Sequence, residues 1–90
     1  MSAESRRLVI GPGSSVDYAY LIVEAASKGA RRLRLYAVGE NICKLVDAIS
    51  ALPDLYPGRV SVVGWNIGSR KIKGERKSFL ELEIVLEEPA

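Results

Sequence analysis

The sequence predicts an α+β fold: a two-layer sandwich of order β-α-β-α-β-β, with a four-stranded mixed sheet, two helices on one face and a final hairpin extended as an arm. Three observations predict it. Val16–Ala26 and Asn41–Leu52 repeat apolar residues at helical spacing, whereas "RRLRLYAV" and "SFLELEIVL" alternate with the period of two that a half-buried strand requires. The link between the last two strands, about Arg70 to Lys77, is long for a turn and reads as a continuation of both strands beyond the sheet. Ninety residues, 48% hydrophobic and 27% charged, have the composition of a globular chain with one core, so a single domain is expected over residues 1–90.

Each element follows in order. "RRLVI" is a short strand that ends at Gly11. Ser14 offers an N-cap with Asp17 three positions on, and Val16, Ala19, Tyr20, Val23 and Ala26 supply the apolar stripe of a helix that stops at Lys28-Gly29. In the second strand Leu33, Leu35 and Ala37 share one face, and Arg32, Arg34 and Tyr36 the other. After Gly39 a second helix runs from about Asn41 to Leu52 on Ile42, Leu45, Val46 and Ile49, and "LPDLYPGR" breaks it with two prolines and a glycine. "VSVVGWNI" loses its phase near Val63-Gly64, the mark of a bulge or tight bend, and the final strand alternates Leu80, Leu82, Ile84 and Leu86 with Glu81, Glu83 and Val85. The first helix is then a right-handed crossover between neighbouring parallel strands, and the last two strands are a hairpin.

Composition narrows the chemistry. One cysteine, Cys43, allows no internal disulfide, and the absence of histidine removes the usual zinc sites and histidine-dependent triads. No acid–base pair or nucleophile constellation is visible, so neither an enzyme, a metal site nor a cofactor is expected. Cys43 beside Lys44 reads as a small half-buried residue in preference to a reactive thiol, and Tyr36 and Trp65, which could stack on bases, read as core or edge packing of strands. No apolar run is long enough to span a bilayer and no signal-peptide pattern opens the chain, so the expected setting is cytoplasmic.

Charge is unevenly spread. The stretch "RKIKGERK" holds Arg70, Lys71, Lys73, Arg76 and Lys77 against Glu75; outside it stand eight basic and ten acidic residues of the 13 and 11 in the chain. A smaller cluster is Arg31, Arg32 and Arg34. One or two lysines are enough to keep a hairpin edge from aggregating. Five exposed like charges offer little to stability and favour a polyanion over bland solubility, and a two-stranded ribbon fits a nucleic-acid groove. The glycine-rich "IGPGSSVDY" is a weaker signal. It lacks the Lys-Ser/Thr pair of a P-loop, has Val16 where a dinucleotide fingerprint needs a small residue, and carries Asp17; a capped corner is the favoured reading. A nucleotide-binding module at this corner is the remaining small-molecule alternative, resting on the amides of Gly13, Ser14 and Ser15.

Taken together, "LVIG", Tyr18, "VGENICKLVDAI" and "NIGS" before a basic hairpin resemble the Alba family of archaeal chromatin and RNA-binding proteins, over about Leu8 to Leu86. The most specific part is Gly39, Ile42, Lys44, Val46 and Asp47. The resemblance implies a homodimer, or a heterodimer with a paralogue, that binds DNA or RNA without strong sequence preference and is nucleoid-associated. It implies that the arm (Arg70, Lys71, Lys73, Arg76, Lys77) reaches toward the minor groove, while Gly13 in the first loop and Asn41 and Lys44 at the start of the second helix face the backbone. Leu55 and Tyr56, after that helix, are expected to make further contacts between dimers.

Two departures accompany the resemblance. The family's loop lysine pair corresponds to Pro12 and Gly13, so acetylation of a lysine there is impossible, and the arginines that usually flank the second glycine are Val38 and Glu40. The corner is therefore expected to be uncharged. Weaker duplex binding is implied, as for a divergent paralogue that pairs with a more basic partner or is specialised for RNA. A structural role as such a partner, or as a subunit of a ribonucleoprotein such as ribonuclease P, is the alternative to general nucleic-acid binding.

Overall fold

Ser14 starts the first helix as the capping pattern requires: its Oγ accepts the amide of Asp17 at 3.2 Å, and Ser14 itself is extended. The computed structural model describes residues 6–89. Strand β1 (Arg6–Val9) leads into helix α1 (Ser15–Ser27), strand β2 (Arg32–Val38) and helix α2 (Asn41–Leu55). Strands β3 (Arg59–Ile72) and β4 (Glu75–Glu87) close the chain. The sheet order is β1-β2-β4-β3, with β1 and β2 parallel and β4 antiparallel to both β2 and β3. The α+β class, the element order and the hairpin are those expected.

The core lies between the sheet and the two helices. Leu33, Leu35 and Ala37 of β2 pair with Ile84, Leu82 and Leu80 of β4, which puts these six on the helix side. Leu35, Ile84 and Leu86 are fully buried there, against Ala19 and Ile22 of α1 and Leu45, Ala48 and Leu52 of α2. Burial of one such Leu or Ile stabilises by about 1.5–3 kcal/mol. Among the described residues no buried side-chain nitrogen or oxygen lacks a partner.

Three expectations change at this level. The buried stripe of α1 is Ala19, Ile22 and Ala26, whereas Val16 and Tyr20 are exposed. Both faces of α1 carry apolar residues, and the alanines let the helix lie close on the sheet. For the same reason α2 buries Ala48 rather than Val46, which is 48% exposed. Helix α2 also continues through Pro53 to Leu55. Proline removes an amide and crowds the preceding turn, but the helix is finished beyond it by the Tyr56 amide, which donates to the Leu52 carbonyl at 2.8 Å. Tyr56 then drops into the core, 8% exposed, and its hydroxyl donates to the Glu87 carbonyl at 3.0 Å.

The expected loss of phase in β3 is a bulge between Val62 and Gly64. It leaves Val60, Val62, Trp65 and Ile67 on the helix side, opposite Leu86, Ile84, Leu82 and Leu80. Because β3 is an edge strand that the helices do not cover, Trp65 and Ile67 remain 71% and 60% exposed.

Two substitutions probe this packing by denaturant unfolding. Leu35→Ala should lower stability by about 2–5 kcal/mol through the cavity it leaves. Gly58→Ala should also be strongly destabilising, because its Cβ would stand 2.0 Å from the Glu87 carbonyl oxygen and 2.6 Å from the Tyr56 ring. An unchanged midpoint for either would contradict the packing described.

Candidate nucleic-acid interface

The arm begins where the sheet narrows to two strands. The last β2–β4 pair is Val38 with Phe79, but β3 and β4 stay paired from Gly68–Phe79 to Ile72–Glu75. Four residue pairs therefore project, about 13 Å at 3.3 Å per residue. A two-residue turn closes them, with φ 52° at Lys73 and 82° at Gly74, both left-handed as a type I′ hairpin turn demands. Lys73 holds this conformation without being glycine, and it places its ammonium at the tip.

Alternation distributes the cations. Arg70 and Lys77 are directly paired on one face of the arm, and Lys71 and Arg76 on the other. Like charges in such positions destabilise a sheet, and an isolated two-stranded hairpin is marginal to begin with. Compensation within the arm is slight: Arg76 Nη1 donates to Ser69 Oγ at 3.1 Å, and Lys77 Nζ lies 3.9 Å from Glu75 Oε1 in an exposed pair. All five cationic residues are exposed. Arg70 differs in direction, since its guanidinium turns back from the arm and donates to the hydroxyl of Tyr36 in β2.

The glycine corner is built by Tyr18. Its hydroxyl accepts the Gly11 amide at 2.9 Å and donates to the Pro12 carbonyl at 2.6 Å, folding the loop onto the ring. Gly13 takes φ 116°, where any side chain is strained. The expectation of an uncharged corner is corrected here. Lys44 reaches across from α2, and its Nζ donates to the Gly11 carbonyl at 2.7 Å. A cation absent from the loop's own sequence arrives from 33 residues away.

Arm and corner are adjacent. The Gly39 amide donates to the Ser78 carbonyl at 2.7 Å, tying the root of the arm to the start of α2. One shallow groove is lined by Glu40, Asn41, Arg76 and Lys77, and a second by Pro12, Glu40, Asn41 and Lys44. They share Glu40 and Asn41, so an open path leads from the arm to the corner, cationic at both ends with one carboxylate in the middle.

Other expected positions fall elsewhere. Tyr56 is a core residue and Leu55 is half-buried against that core, so the tyrosine ring is not available for contacts between dimers. Cys43 is exposed rather than half-buried. Of the second arginine cluster, Arg31 donates to the Ala26 carbonyl near the end of α1 and pairs with Glu88, and Arg32 pairs with Glu83 at 2.7 Å. Tyr36, read as a packing residue, is buried although it lies on the helix-free face, whereas Trp65, read the same way, is 71% exposed; nothing in the sequence signals that Arg70 is the partner of Tyr36.

No protein-family model matches the chain, and no curated protein matches it in sequence. Solved structures do. The chain is similar to Alba from Thermoplasma volcanium, with TM-score 0.82 and 15% identity, over 89% of this chain and 99% of that one. It is similar also to ALBA1 from Trypanosoma brucei, with TM-score 0.73 and 14% identity, over 94% of this chain and 72% of that one. With so little sequence in common and nearly the whole backbone shared, the likeness is one of architecture: this chain has the Alba fold.

Proposed function

We propose that this protein is a sequence-non-specific nucleic-acid-binding protein, of DNA or RNA, that acts as a dimer in the cytoplasm as part of a nucleoid or ribonucleoprotein. The observation that carries this reading is the arm, which sets like charges opposite one another where they oppose folding. Such an arrangement is stabilised by phosphates, which position a protein without reading sequence. The path from the arm past Asn41 to Lys44 supports a backbone contact continuous with it. Dimerisation is supported by the bare helix side of β3. Val62, Trp65 and Ile67 make an apolar strip on an edge strand, and an isologous partner would cover it.

Glu40 favours one second reading. A carboxylate midway along the path repels a duplex backbone, as suits a chain that pairs with a more basic paralogue or serves inside a ribonucleoprotein. The nucleotide-module reading has less support, because Pro12 contributes no donor and Asp17, in the first turn of α1, opposes a phosphate held by the amides of Gly13, Ser14 and Ser15.

Three measurements test these readings. Replacing Lys71, Lys73 and Arg76 by glutamine should flatten the log–log salt dependence of duplex binding by roughly three units per arm, at about 0.9 for each phosphate neutralised. Fluorescence anisotropy should show this loss alike for unrelated sequences, and an unchanged slope with folding intact would remove the arm from the interface. Trp65→Lys should convert a dimer into a monomer in sedimentation; a wild type that is already monomeric at micromolar concentration would refute the dimer. Pro12→Lys should strengthen duplex binding, since Pro12 lines the path and, unlike Gly13, does not hold a left-handed φ. Unchanged affinity at moderate salt would mean that the corner faces away from the nucleic acid.

A further inference from the structure

Tyr36 is only 9% exposed, although it lies on the sheet face that the helices leave bare. Three side chains cover it. The Phe79 ring lies at 5.8 Å between centroids, tilted by 31°, and the Arg7 guanidinium sits 4.8 Å from the Tyr36 ring centre. The third is Arg70, which donates to the hydroxyl with its guanidinium carbon 5.9 Å from the ring centre.

The route of Arg70 gives this cluster its meaning. Arg70 belongs to β3 within the arm, Tyr36 belongs to β2 within the body, and β4 lies between them. Its side chain therefore crosses a whole strand and runs back from arm to body. Gly68, two residues earlier, leaves Phe79 its place: a Cβ there would stand 3.1 Å from the Phe79 ring. The hydroxyl that receives Arg70 is held by a ring that Phe79 and Arg7 pack. A two-stranded ribbon twists more freely than a sheet, so side-chain ties at its root decide where the arm points. The Gly39–Ser78 backbone bond is one such tie, and the Arg70–Tyr36 bond is the other, formed on the opposite face.

We propose that Arg70 is a positioning residue, a strut that locks the arm's direction through Tyr36, and not one of the arm's phosphate contacts. Its consequence for binding rests on the nucleic-acid reading above, whereas the strut itself does not. A preset direction lowers the ordering cost of laying the arm along a polyanion. It also leaves phosphate neutralisation to Lys71, Lys73, Arg76 and Lys77.

The test compares Tyr36→Phe, Arg70→Met and the double variant, using mixed-sequence DNA and RNA duplexes over a salt series and hydrogen exchange on the free protein. Tyr36→Phe keeps the ring and the net charge and removes only the acceptor. It should weaken binding about tenfold at fixed salt, the loss of one charge-assisted hydrogen bond, with the salt slope unchanged. Arg70→Met should do the same, and the double variant should be no weaker than either, because all three remove one tie. In the free protein both single variants should speed amide exchange from Ser69 to Ser78 and leave β2 protected. Wild-type affinity for Tyr36→Phe, with a slope flattened by about 0.9 per arm in Arg70→Met, would make Arg70 a phosphate contact and overturn the strut. Unchanged arm exchange in both variants would overturn it without reference to nucleic acid. Faster arm exchange together with a wild type that binds neither duplex would uphold the strut and refute the proposed function instead.

Discussion

Strand β4 is the member on which the rest of the structure depends. From Phe79 to Val85 it pairs on both sides, with β2 and β3, and Ile84 and Leu86 enter the core. Over Glu75 to Ser78 it pairs with β3 alone, and the same ladder that closes the sheet becomes the arm. Body and arm are thus one hairpin, and the arm requires no fold of its own. Its direction follows from the body's last shared pair, Val38 with Phe79, and from the side chains packed at that level.

This construction separates the energetic tasks. Among the described residues the buried side-chain polar atoms of the body all have partners, and Tyr56 seals one end by its bond to the Glu87 carbonyl. The arm is the reverse, charged on both faces and opposed by its own electrostatics. Stability from one half holds the other in a conformation it would not keep by itself. That division lets a chain of 90 residues extend one end of its sheet as a charged arm.

Long-range side-chain bonds then join parts that the chain keeps far apart. Lys44 reaches Gly11, and Arg70 reaches Tyr36, 34 residues away. Each places a cation where the local sequence has none, or removes one from where the local sequence appears to offer it. The Lys44 ammonium stands at the corner, and the Arg70 guanidinium turns back from the arm toward the body.

The sequence by itself determined the elements and their order, because periods of two and 3.6 are local properties of backbone geometry. The alternation of Leu80 to Leu86, the Ser14 cap and the phase slip at Val63-Gly64 were all legible for that reason. The basic arm was legible too, since its cations are contiguous in the chain. Only the tertiary structure decided which apolar stripe of α1 and α2 faces inward, because Val16, Tyr20 and Val46 satisfy the same periodicity as Ala19 and Ala48. The choice falls to close packing against the sheet, which small residues permit. The fates of Tyr56, Lys44, Tyr36 and Arg70 were likewise decided there: each depends on a partner 31 to 34 residues distant, and no local pattern encodes which distant backbone or ring will arrive beside it.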